Sequence, residues 1–188
     1  MDHYLEIQLR PDPEIAANQL FAALYARLHR ALVQLGSRDI GVSFPGYDLG
    51  RITLGTRLRL HGSAAALQRL SSSAWLAGMR DHAMVTPLAI APADAACCRV
   101  MRVQAKSSPE RLRRRAMRRH GIDAETATQR IPDAAAEHLK LPFVVIGSRS
   151  TAQPAFPLFI RQEVAQPQAV AGDFNSYGLS HGATVPWF

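Results

Sequence analysis

The order in which the hydrophobic period changes along the first half of the chain limits the fold more than any other feature. Leu5, Ile7 and Leu9 alternate with polar residues between Tyr4 and Leu9, the period of a half-buried strand. Pro11-Asp12-Pro13 breaks it. From about Ala16 to Leu35 the residues Leu20, Leu24, Leu28, Ala31 and Leu35 recur at helical spacing, and Gly36 suits the C-terminal cap. Ile40 to Phe44 reads as a short strand stopped by Pro45, and Arg57 to His61 alternates again with Leu58 and Leu60 inward. Gly62-Ser63 opens a second helix through about Leu70, with Ser63 as its N-cap. A last apolar stretch lies near Val85 to Ile90, interrupted by Pro87. Strand, helix, strand, strand, helix, strand is the βαββαβ order of a ferredoxin-like domain. The expected class is therefore α+β, with a ferredoxin-like domain over residues 1–95.

Residues 96–188 read as a smaller α+β domain. Arg99 to Ala105 alternates and fits either a strand or an extended linker. A helix starts at Ser108-Pro109-Glu110: Ser108 can cap it, Pro109 fits its first turn, and Glu110 faces its positive end. Ser107 with Glu110 offers an alternative capping box. Gly121 ends this helix, and a shorter one covers Ala124 to Arg130. Phe143 to Ile146 and Leu158 to Arg161 read as strands, with a terminal hairpin around Ser180-His181-Gly182.

Composition excludes several classes. At 188 residues the chain can form one domain with a sizeable core or two small ones sharing an interface. No apolar run approaches the roughly 20 residues that span a bilayer. The N-terminal MDHYLEIQLRPDPE lacks the basic and apolar regions of a signal peptide, so a cytoplasmic protein without a membrane partner is expected. Cys97 and Cys98 are adjacent, which rules out a disulfide or zinc-finger scaffold.

Charge is the more telling property. The net charge is +7, and it is concentrated. Arg99 to Arg119 holds nine basic residues against one acid, Glu110, or +8 in 21 residues; the rest of the chain sums to −1. A local arginine patch of this kind is the electrostatic footprint of nucleic-acid binding. On the helix from Pro109 to His120, Arg111, Arg114, Arg115, Arg118 and Arg119 fall within an arc of about 140°. Arg113 points elsewhere, and Leu112 and Ala116 edge the arc as an anchor. A solvated face is the ordinary reading of a charge run. Here only Glu110 stands at a spacing that could offset the arginines. Arg102 and Gln104 are two apart in an alternating segment and share a face. Arginine matches guanine and glutamine matches adenine, so they form a candidate base-reading pair.

No GxSxG elbow, HExxH, Walker A or paired-carboxylate motif is present, and no cluster is suited to a metal. Enzymatic chemistry would have to run on His, Ser or Tyr. His29 sits within the first helix, where a lone histidine is more often structural. Ser148 and Ser150 follow a strand and are ordinary loop residues by position.

The run RVQAKSSPERLRRRAMRRH, with GVSFP (Gly41 to Pro45), RLRLH (Arg57 to His61), LPFV (Leu141 to Val144) and the closing YGLSHGATVPWF, resembles the CRISPR-associated endoribonucleases of subtype I-F systems, which process precursor CRISPR RNA. The resemblance covers essentially the whole chain. It implies that His29 is the catalytic histidine, Ser148 the serine that positions the attacking ribose, and Tyr177 a supporting active-site tyrosine. It implies that Arg102 and Gln104 read base edges near the bottom of the RNA stem. Arg114, Arg115, Arg118, Arg119 and His120 would lie in the major groove. Phe156 would stack on the closing base pair, and Ser150 joins the RNA-binding set. The STAQPAFP segment, Ser150 to Pro157, is one residue longer than the family pattern.

The function so implied is a metal-independent, hairpin-specific endoribonuclease without cofactor. It cuts at the 3′ base of the repeat stem, leaves 5′-OH and 2′,3′-cyclic phosphate ends, and keeps its product. Its partners would be the repeat hairpin and other CRISPR-associated proteins of a surveillance complex, with the free protein a monomer. A non-catalytic hairpin-binding subunit of the same fold is the alternative, and a basic DNA-binding protein is a third reading.

Overall fold

The computed structural model describes residues 1–104, 109–133, 139–147, 155–166 and 168–188. The caps expected at Ser107 and Ser108 lie outside the described residues, as do Ala105, Ser148 and Ser150. The described elements are β1 (His3–Leu9), α1 (Ala17–Leu35), β2 (Gly41–Ser43), β3 (Arg57–Gly62), α2 (Ala64–Ser72), β4 (Ala83–Val85), β5 (Ala89–Ile90), β6 (Ala96–Val103), α3 (Pro109–His120), α4 (Ala124–Arg130), β7 (Phe143–Ile146), β8 (Phe156–Gln166) and β9 (Val185–Trp187). The mixture of helices with two antiparallel sheets makes the chain an α+β protein. Among the described residues, no helix is long and apolar enough to cross a membrane.

The chain divides into two compact units. One comprises Met1–Val103 with Leu141–Phe188, and the other Gln104–Lys140. In the first, one sheet has the order β2-β3-β1-β4, with β5 also on β1, and the second has the order β7-β8-β6-β9. β6 carries the chain from the first sheet to the second. The helical period of α1 does its work here. Leu20, Phe21, Leu24, Tyr25, Leu28, Ala31 and Leu32 are all buried, and Gly36 ends the helix at φ 58°, the left-handed conformation its C-terminal cap requires. Ser63 caps α2 as expected, its side chain accepting from the Ala66 N–H. One continuous core joins both sheets, from Leu5 and Ile7 through Val42 and Leu60 to Leu158, Ile160 and Val185. The Gln162 side chain ties the sheets together. It accepts from Phe44 N at 2.8 Å and donates to Phe44 O at 3.1 Å.

Several elements differ from the sequence reading. The apolar stretch near Val85 to Ile90 is two short strands flanking Pro87, both paired with β1. The segment beginning at Arg99 is a strand and not a linker. β8 is longer than Leu158 to Arg161 and takes in Pro157. Ile160 N bonds to Pro142 O. By antiparallel alternation, the Pro157–Val145 pair is then a non-hydrogen-bonded one. The proline nitrogen faces the side where β6, paired only as far as Phe159, has ended. The hairpin expected around Ser180 to Gly182 does not form. The Ser180 hydroxyl takes up the N–H groups of Gly182 and Ala183, the Ser180 N–H bonds to Val100 O, and β9 pairs with β6 instead.

Candidate active site

His29 lies on the flank of α1, next to the buried Leu28, and is itself half-buried. Its Nδ1 stands 2.9 Å from the backbone carbonyl of Ser176. A carbonyl oxygen only accepts, so Nδ1 must carry the proton of this bond. In the neutral ring Nε2 is then the nitrogen with the free lone pair. The Tyr177 ring lies flat on the imidazole, with centroids 4.0 Å apart and planes 8° from parallel. The two contacts fix the tautomer and the plane of the ring. They leave one nitrogen able to take up or give up a proton, as acid–base chemistry near neutral pH requires.

One turn earlier on α1, Tyr25 is fully buried, and burial holds its hydroxyl above the usual range, so it remains a donor. That hydroxyl donates to the carbonyl of Tyr177 at 2.8 Å. The family resemblance points to His29 and Tyr177 but not to Tyr25 or Ser176. Tyr25 reads as one more core position of an amphipathic helix, and Ser176 acts through its backbone, which no side-chain motif reports.

Arg102 and Phe156 also come together. They stand on β6 and β8, and the Arg102 guanidinium carbon lies 5.5 Å from the centre of the Phe156 ring. This is a cation–π distance. It presents a planar cation beside an aromatic face, a combination suited to base edges and stacking. Gln104 is exposed and follows the last residue of β6, so strand geometry does not itself set its side chain beside Arg102. β7 ends at Ile146, two positions before Ser148.

In the second unit, α3 exposes Arg111, Arg114, Arg115, Arg118, Arg119 and His120 and half-buries Leu112, Ala116 and Met117. Arg113, the one helix arginine outside the arc, turns the other way. Its Nε donates to Ile131 O at 2.8 Å and its terminal nitrogen pairs with Asp133 at 2.7 Å, which ties α3 to the end of α4. Among the described residues no ion pair engages Arg114, Arg115, Arg118 or Arg119. Arg114, Arg115, Arg118 and Arg119 form an exposed cationic face that no carboxylate among the described residues pairs with, a surface for a polyanion.

Over residues 4–188 the chain matches the family described as CRISPR-associated protein (Cas_Csy4). Two relatives align over the full length of both chains. The protein named CRISPR-associated endonuclease Cas6/Csy4 from Pseudomonas aeruginosa (strain UCBPP-PA14) is 53% identical over 188 residues. The protein of the same name from Escherichia coli (strain UTI89 / UPEC) is 46% identical over the same length. With a match that takes in His29 and its tyrosine, the Arg102 strand and the arginine helix, the chain belongs to the Cas_Csy4 family of CRISPR-associated proteins.

Proposed function

We propose that the chain is a metal-independent endoribonuclease that cuts precursor CRISPR RNA at the 3′ base of its repeat hairpin and stays bound to the product. The observation that carries this reading is the state of His29. Its Nδ1 is committed to Ser176 and its ring to Tyr177, and Nε2 remains for proton transfer. RNA supplies its own nucleophile. The 2′-oxygen attacks the adjacent phosphorus, the bond to the 5′-oxygen breaks, and a 2′,3′-cyclic phosphate and a 5′-OH result. One proton leaves the 2′-oxygen and one reaches the 5′-oxygen, so no water is consumed. A histidine in a fixed tautomer provides proton transfer, and geometry provides the rest. In this reading Ser148 holds the attacking ribose and Tyr177 steadies the imidazole.

Binding is assigned to Arg102, Gln104, Ser150 and Phe156 at the base of the stem, and to Arg114, Arg115, Arg118, Arg119 and His120 along it. The major groove of A-form RNA is normally too deep and narrow for side chains. A short stem closed by a loop opens the groove at its end, which favours hairpins over long duplexes. If the cut falls at the 3′ base, cleavage removes only downstream nucleotides and leaves the stem contacts intact. The product is then retained, and the protein serves as a bound subunit beside other CRISPR-associated proteins in the cytoplasm. The strand order β2-β3-β1-β4, with α1 after β1 and α2 after β3, supports a ferredoxin-like arrangement for residues 1–95, with the RNA contacts drawn mainly from residues 96–188.

Incubation with a repeat-hairpin RNA in EDTA tests the proposal. Cleavage to a cyclic-phosphate product, one RNA per protein followed by a stall, is the expected result. Binding without cleavage would select the non-catalytic reading, and preference for duplex DNA the third.

A further inference from the structure

The two contacts that hold His29 come from consecutive residues, Ser176 and Tyr177. Neither contact is stronger than the turn that carries it. That turn, Asn175 to Leu179, is closed by one residue, Asn175. Oδ1 of Asn175 accepts from Tyr177 N at 2.9 Å and from Leu179 N at 3.2 Å. The backbone of the same residue adds Asn175 N to Leu179 O, 2.9 Å, and Gly178 N to Asn175 O, 2.8 Å. From outside, the turn is pinned at two points, by Tyr25 Oη on Tyr177 O and by Val42 N on Gly178 O, 3.0 Å. Asn175 is exposed, and among the described residues it makes no hydrogen bond to His29.

We propose that Asn175 is a positioning residue that fixes the tautomer of His29 through the backbone of this turn. Without Oδ1, the Tyr177 and Leu179 N–H groups lose their acceptor; water can partly replace it at the exposed Tyr177 bond and less readily beside the buried Leu179. The turn then samples conformations in which the Ser176 carbonyl no longer faces Nδ1. Once that acceptor moves, the imidazole proton distributes over both nitrogens and the ring can rotate. Only the acceptor function of Asn175 is used; its amide nitrogen makes no hydrogen bond among the described residues. An aspartate, which keeps the acceptor, should therefore substitute for it, and an alanine should not.

The inference rests on the proposed role of His29 in cleavage, and the experiment separates the two. The imidazole ¹⁵N shifts of His29 are recorded in the full-length free protein, for wild type, Asn175→Ala and Asn175→Asp, beside single-turnover cleavage and affinity for a repeat hairpin. The wild type and the aspartate variant should show the Nδ1–H tautomer, and the alanine variant a mixture. Cleavage by Asn175→Ala should fall about tenfold, on the scale of two lost hydrogen bonds partly replaced by water. Hairpin affinity should hold within about twofold, and Asn175→Asp should restore most of the rate. A single unchanged tautomer in Asn175→Ala overturns the inference whatever the cleavage rate. So does a rate loss that aspartate does not restore. A wild-type protein that shows the expected tautomers but cleaves no RNA overturns the function proposed above and leaves the tautomer control standing.

Discussion

Replacing Gly178 by alanine perturbs the site without touching the residues that flank His29 in space. Gly178 sits at φ 71°, in the left-handed region. A Cβ there would lie 2.6 Å from Val42 Cγ1, 3.4 Å from Val42 N and 3.5 Å from Ile40 O. Val42 is fully buried and β-branched, so its side chain has one stiff torsion and no room to yield. The left-handed conformation costs alanine about 1–2 kcal/mol, and forcing a methyl into a packed site costs about 1–3 kcal/mol more. A total of about 2–5 kcal/mol should lower Tm by roughly 4–20 °C for a chain of this size. The turn is the lighter side of the clash, so relaxation moves Ser176 O and Tyr177 away from His29. Thermal unfolding and single-turnover cleavage of a repeat hairpin are the assays, with Gly182→Ala as the control. A Cβ at Gly182 meets nothing within 4 Å, and that variant should behave as wild type. A wild-type Tm for Gly178→Ala would show that the site accommodates the methyl, and a wild-type rate that the turn does not hold His29.

Three further expectations concern the core and the proposed RNA contacts. His61 is fully buried, its Nε2 2.8 Å from the Ser43 hydroxyl; burial, helped by the charge of Arg59, pushes its pKa down from 6.5 to about 3. The unfolded chain binds a proton there that the folded chain refuses, so stability should fall as pH drops from 6.5 towards about 3, at up to about 1.4 kcal/mol per pH unit. Urea unfolding across that range should show a flatter acid dependence in His61→Gln, and identical profiles would contradict it. Arg115→Ala and Arg119→Ala should each reduce the log–log salt slope of hairpin binding by about 0.7–0.9 if they contact phosphate, and two unchanged slopes would show that they do not. Arg102→Ala should cost about 1–3 kcal/mol and relax discrimination at one base pair, whereas equal losses on every stem sequence would argue against base reading.

Where local period decides structure, the sequence was readable. The buried stripe of α1 and the exposed arc of α3 follow from spacing alone, and so does the exclusion of Arg113 from that arc. Long-range structure was less accessible. Ser176 is 147 residues from His29, and its role runs through a carbonyl that every residue possesses. Asn175 and Gly178 carry ordinary turn chemistry, which marks a turn but not its target. The C-terminal hairpin fails for a related reason. Ser180 and Gly182 are good turn residues, but Ser180 satisfies the turn with its own hydroxyl and its N–H pairs with Val100. Which strand receives β9 is set by the second sheet as a whole, and not by the residues flanking the turn.

If proton transfer at His29 cuts the RNA while other residues hold it, His29→Ala should separate the two in single-turnover cleavage of a repeat hairpin in EDTA, with hairpin affinity measured in parallel. The rate should fall by about 10²–10⁴-fold, the usual contribution of a general acid or base, with affinity nearly unchanged. Cleavage by His29→Ala at close to the wild-type rate would show that the proton transfer lies elsewhere.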